Sequence, residues 1–128
     1  MSTIPNGLKL YAIVSKPALK KMGGNRGKLG AMLGHAYLHA MWDADDRHPA
    51  RARAYKHSGL AKKVVLVCED EELMRQLAAD YQAVCGTTVV EDAGLTVFNG
   101  EKTFAAVGIG PLAPEERDPR LAGLKVLI

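Results

Sequence analysis

Hydrophobic and polar positions change period several times along the chain, and each change predicts an element. Leu8 to Val14 (LKLYAIV) predicts a strand, closed at Pro17 and followed by a loop rich in glycine and lysine. From Arg26 to about Asp43 the pattern turns helical: Leu29, Leu33, Ala36 and Ala40 recur at four, three and four positions. Asn25 is a residue type that caps such a start. Asp45 to Pro49 interrupts the period, and Ala50 to His57 predicts a short polar helix ended by Gly59. Lys62 to Glu69 contains Val64, Val65, Leu66 and Val67 in a row, which suits a strand covered on both faces. Asp70 to Val84 predicts a second long helix, with acidic residues at its start, a buried stripe of Leu73, Met74, Leu77 and Tyr81, and Gly86 as its stop. Thr87 to Val90 and Phe104 to Ile109 predict strands, the latter stopped by Gly110–Pro111. Pro114 to Leu121 predicts a turn of helix, and Leu124 to Ile128 a short edge strand.

Strands separated by helices require crossovers, so this order predicts an α/β fold with helices on both faces of a mixed sheet. The 128 residues, 48% of them apolar and 24% charged, fit one globular domain spanning 1–128. A chain of this size buries roughly two-thirds of its unfolded surface and needs no disulfide or metal for a core. No apolar stretch has the length of a membrane span or of a signal peptide, and Cys68 and Cys85 read as ordinary reduced thiols; both point to a cytoplasmic protein.

Charge is unevenly placed. Lys9, Lys16, Lys20, Lys21, Arg26 and Lys28 all precede the first acidic residue, Asp43, so the first 42 residues carry +6 and the other 86 carry −3. Such asymmetry points to an anionic partner at the N-terminal third, either as a solvated basic loop or as a phosphate-binding surface. The segment lacks the apolar face that membrane binding requires.

The segment Met22 to Lys28 (MGGNRGK) has glycines and a lysine but not the spacing of a nucleotide-binding P-loop, and Leu29 stands where that motif needs Ser or Thr. Glycines still let a ligand approach the backbone, and the helix start offers N–H groups to an anion. Lys28 in a first helical turn opposes the dipole of its own helix, a placement that fits either an anion in front of it or an exposed lysine at a frayed end. His35 and His39 share a helix face, but two ligands do not make a metal site, so no metal is expected and His35 is read at the core edge with a backbone partner. Lys28, Met32, His35 and His39 form a stripe bordering the apolar one. Asp92, in Asp92–Ala93–Gly94 after a short strand, is either the carboxylate of a ligand crevice at a strand end or an Asx turn.

Four segments, in order and spacing, resemble the type-two peptidyl-tRNA hydrolase family: MGGNRGKLGAMLGHA at 22–36, KKVVLVCEDEELMRQLA at 62–78, DAGLT at 92–96, and GIGP at 108–111 with the closing LKVLI. The resemblance implies a three-layer α/β sandwich with a mixed sheet of about four strands, often a homodimer. It implies hydrolysis of the ester that joins a peptide to the 3′-ribose of tRNA, without a cofactor. Lys28, Asp92 and Thr96 fall on its functional positions. Lys28 would bind a terminal phosphate or steady an oxyanion, Asp92 would accept a proton from the attacking water or orient it, and Thr96 would hold that water. Lys16, Lys20, Lys21, Arg26 and His35 would contact the tRNA. Three positions commonly polar in the family are apolar here, Met32, Val97 and Ala105. The alternatives are a tRNA-binding module of the same fold without turnover, and an interaction protein whose basic segment meets an acidic protein surface.

Overall fold

Side chains on the two faces of the central strands differ in size, and that difference sets how close the helices lie. A computed structural model of the protein describes residues 3–94 and 101–128. Strand β1 (Lys9–Ser15) pairs in parallel with β2 (Lys63–Cys68) and antiparallel with β4 (Thr103–Leu112). Strand β3 (Gly86–Asp92) pairs antiparallel with β4, and the short β5 (Lys125–Val126) with β2. The order is β3-β4-β1-β2-β5, a mixed sheet of five strands rather than about four. The fifth is the short edge strand expected at Leu124 to Ile128.

One face carries Tyr11, Ile13, Leu66, Val107 and Ile109, which pack with Met74 and Leu77 of helix α4 (Glu71–Asp80). The other face carries Ala12, Ala106 and Gly108, against α1 (Lys16–Met22) and the long α2 (Arg26–Arg47). A Cβ on Gly108 would stand 2.1 Å from the carbonyl oxygen of Ala36, and one on Gly86 2.0 Å from that of Ala40. The α2 backbone therefore rests almost directly on β3 and β4, and its contact face is Met32, Ala36, Ala40 and Ala44, all buried. This corrects two expectations. Met32 lies in the core, not on a bordering stripe, because the close approach rotates the alanines under the helix and leaves Leu29 and Leu33 at its flank. Gly86 is not a helix stop; it opens β3, and it is glycine because α2 leaves no room for a Cβ.

Other boundaries follow from local chemistry. Pro17 starts a helix instead of merely closing β1: it sits at the first turn of α1, where its missing N–H costs nothing, and Ser15 Oγ accepts from Ala18 N at 3.1 Å. The same hydroxyl donates to Glu71 in the first turn of α4, tying both helices to the end of β1. Asn25 caps α2 by accepting from Lys28 N at 3.0 Å, as expected. Helix α2 runs on to Arg47, and α3 (Pro49–Ser58) ends at a left-handed Gly59. The α4 helix is shorter than expected because Asp80 gives way to a 3-10 turn over Tyr81–Ala83. Strand β4 continues through Gly110–Pro111 to Leu112, since a register shift in β1 between Lys9 and Tyr11 restores pairing beyond the proline. After β4 come a 3-10 turn (Pro114–Glu116) and the short α5 (Pro119–Ala122). Arg51 of α3 clamps this region, with Nη1 and Nη2 on Glu116 at 2.6 and 2.8 Å and Nη1 on the Pro111 carbonyl at 3.2 Å.

Helix α2 lies along the edge strand β3. At one end Lys28 meets Asp92; at the other, Asp43 Oδ2 accepts the backbone N–H of Thr87 at 2.8 Å.

Candidate active site

Strands β1, β2 and β3 all point the same way, because β4 is antiparallel to both β1 and β3. Their carboxyl ends, Ser15, Cys68 and Asp92, therefore lie on one rim. The chain leaves β1 for α1 and α2 on one face and leaves β2 for α4 on the other, the arrangement in which open α/β sheets bind ligands.

On that rim the first turn of α2 carries Lys28 to the end of β3, where its ammonium forms an ion pair with Asp92. The two side chains are 15% and 7% exposed, so the pair is shielded from bulk water on most sides. Asp92 Oδ1 also accepts the N–H of Gly94 at 2.7 Å, the Asx turn read from the sequence. One oxygen of Asp92 thus closes the turn and the other faces the cation. Burial pushes the Asp92 carboxyl up, but the bond and charge of Lys28, the Gly94 N–H and the field of His35 outweigh it and leave the group below the usual carboxylate range. Asp92 is therefore an anion across the neutral range and accepts hydrogen bonds without donating any.

Gly94 has φ +80°, and a Cβ there would stand 2.2 Å from the carbonyl oxygen of Glu101, so this turn needs glycine on both grounds. Thr96 and Val97 lie outside the described residues. Met32 and Ala105 are buried in the cluster between α2 and the sheet.

Lys16, Lys20, Lys21 and Arg26 are exposed on α1 and the start of α2, on the same face and rim as Lys28. Lys16 pairs with Glu69 at 3.0 Å. Lys16 above all, with Lys20 and Lys125 further away, holds the Glu69 carboxyl below its ordinary range. Lys125, at the start of β5, joins this rim through topology alone; nothing near it in the sequence marks it. His35 differs from the expectation: it is exposed, and its ring faces His39 at 5.6 Å rather than lying at the core edge. That happens because the buried stripe of α2 is centred on the alanines, which turns His35 outward.

Neither cysteine is a candidate nucleophile. Both are free and buried, and burial raises Cys68 and pushes Cys85 up to about 12. Among the described residues no group of three or more His, Cys, Asp or Glu is placed to hold a metal ion, and no helix is long and apolar enough to cross a membrane.

The family model described as peptidyl-tRNA hydrolase PTH2 matches residues 8–127. The chain is 31% identical over 106 residues to a peptidyl-tRNA hydrolase of Methanocaldococcus jannaschii, covering 83% of this chain and 91% of that protein. It is 36% identical over 104 residues to one of Methanopyrus kandleri, covering 80% and 87%. It is 35% identical over 91 residues to one of Halobacterium salinarum, covering 70% and 79%. With the family model spanning nearly every element of the fold and these relatives at 31–36% identity, the chain belongs to the PTH2 family of peptidyl-tRNA hydrolases.

Proposed function

We propose that the protein hydrolyses peptidyl-tRNA, freeing the peptide and the tRNA, with Lys28 and Asp92 at the reacting ester. The observation that carries this reading is the shielded Lys28–Asp92 pair at the rim of a PTH2 chain. Water attacks the ester carbonyl carbon, a C–O bond forms, and negative charge moves onto the carbonyl oxygen. Lys28, fixed in the first turn of α2, stabilises that oxyanion. The ionised Asp92 accepts a hydrogen bond from the attacking water and aims its lone pair at the carbon. The bond to the 3′-ribose oxygen then breaks, and the proton lost by water ends on that oxygen. Thr96, two residues past Gly94, is proposed to hold the water as the family resemblance implies.

Lys16, Lys20, Lys21 and Arg26 contact phosphates of the tRNA without reading its sequence. By strand spacing, β1 and β3 lie about 10 Å apart, so these cations and the reacting ester fit within one acceptor end.

Single-turnover release of peptide from an N-blocked aminoacyl-tRNA tests the reading, with Lys28→Ala and Asp92→Ala run beside the parent. Release by the parent at a rate that neither variant lowers would overturn the assignment of both residues. The apolar residues Met32 and Ala105, at positions the resemblance gives as commonly polar, support a second reading, a tRNA-binding module without turnover. It predicts tRNA binding that weakens steeply with salt and no release of peptide.

A further inference from the structure

Helix α2 carries a row of rings that leads away from the ion pair. Lys28, His35, His39 and Trp42 follow one another at seven, four and three positions, a single stripe of the helix. The His35 and His39 rings are 5.6 Å apart and tilted by 49°; His39 and Trp42 are stacked at 5.2 Å and 17°. All three are exposed, Trp42 by 55%, so the row contributes little to the core. It starts beside Lys28–Asp92 and runs with α2 along β3, toward the end where Asp43 binds Thr87.

Charge decides what such a row accepts. Surfaces that stack nucleobases set cations among their rings to hold the phosphates. From Leu29 to Asp46 this helix has no Lys or Arg, and the row ends beside Asp43, Asp45 and Asp46. Asp43 and Asp45 are paired with Arg47 and Lys56, so these two cations are already engaged by carboxylates of the helix. Five of the six basic residues of the N-terminal third stand at the opposite end, on α1 and the first turn of α2; Lys9, at the start of β1, does not. A polyanion leaving the ester is drawn toward α1, and an arm that follows α2 carries no phosphate.

Resting on the hydrolase reading above, we propose that His35, His39 and Trp42 form a subsite for the peptidyl arm of the substrate, which lies extended across the rings. Ring faces accept apolar, amide and cationic groups alike, so they suit a peptide of variable sequence. Asp46, exposed at the far end, favours a free α-ammonium. The reach is fixed by geometry: the fourteen steps from Lys28 to Trp42 span about 21 Å of helix. An extended peptide of about six residues covers that distance.

Trp42 is the sole tryptophan, so its fluorescence reports on this row alone. The probes are acceptor-stem RNA hairpins whose 3′ end bears one, three or six amino acids through an amide in place of the ester, and the same hairpin bare. The expected result is a change in Trp42 emission with the three- and six-residue probes and none with the bare hairpin. Affinity should rise about 3–10-fold from one to six residues, and His39→Ala or Trp42→Ala, followed by anisotropy of labelled RNA, should abolish that rise. An equal emission change with the bare hairpin would overturn the proposal in favour of base stacking. Bound probes of every length that leave Trp42 silent would also overturn it. Turnover of ester-linked substrate is measured separately. An inactive protein whose Trp42 answers the peptide counts against the hydrolase reading alone; an active protein with a silent Trp42 counts against this inference alone.

Discussion

Lys28 and Asp92, 64 positions apart in the chain, meet as an ion pair that solvent barely reaches. Each group is costly to bury alone, and each is acceptable because the other is there. Removing either one takes from the other the ion pair that offsets its shielding from water. Lys28→Ala and Asp92→Ala are therefore each expected to lower single-turnover peptide release by about 100-fold or more. Each should also lower stability, by an amount smaller in the double variant than the sum of the two. A double-mutant cycle on denaturant midpoints, run beside the kinetics, checks both statements.

The tight seat of α2 gives a second expectation. Gly86→Ala and Gly108→Ala each place a methyl within about 2 Å of a helix carbonyl oxygen, so the helix must lift from the sheet. Each should destabilise the protein by about 3 kcal/mol in urea melts. Gly30→Ala, where a Cβ meets nothing within 4 Å, should raise stability or leave it nearly level.

Much of this was legible in the chain and some was not, for physical reasons. Asn25 as a cap, Gly59 as a stop and the branched run of β2 are local signals, and local rules read them correctly. Pro17 misleads because proline both ends strands and begins helices, and only Ser15 accepting from Ala18 decides between the two. Gly86 misleads because a glycine needed for close approach looks like one needed for a left-handed turn. Met32 misleads because small residues on the sheet, not the helix's own period, decide which stripe goes down. The convergence of Lys28 and Asp92 depends on strand order, which no local pattern contains; family motifs supplied it. The row ending in Trp42 was half visible, since the spacing of His35 and His39 was plain, but their exposure depends on the same alanine contact.

Arg51 and Glu116 provide a pH test. Burial raises the Glu116 carboxyl, but the Arg51 bond, the Ala113 N–H and the Arg51 charge more than offset it, so the group sits below its ordinary value. The unfolded chain then binds more protons than the folded one between the two values, so stability rises as pH rises across that window. The contribution is fully present above the unfolded value, about 4.3, and is lost as pH falls through the folded one. Glu116→Gln should cost about 2 kcal/mol at pH 7. Urea melts of parent and variant should converge as the solution is acidified toward and below that window.

The basic rim makes its own prediction. Lys16→Ala, Lys20→Ala, Lys21→Ala and Arg26→Ala should each weaken binding of unrelated tRNAs alike, and each should flatten the slope of log affinity against log salt by about 0.7–0.9. Filter binding across a salt series measures it. Lys16 is expected to show the smallest effect, since Glu69 already shares its charge.

Asp43 has a further effect on the molecule's behaviour in a crowded solution. Strand β3 is the outermost of the sheet, and its outer flank is the kind of edge on which another chain's strand can assemble. The carboxylate reaching from α2 occupies the Thr87 N–H near the start of that flank and brings Arg47 with it. An incoming strand would have to displace an ion-paired side chain before forming its first rungs. The same helix that brings Lys28 to Asp92 thus also takes up one N–H of this open edge.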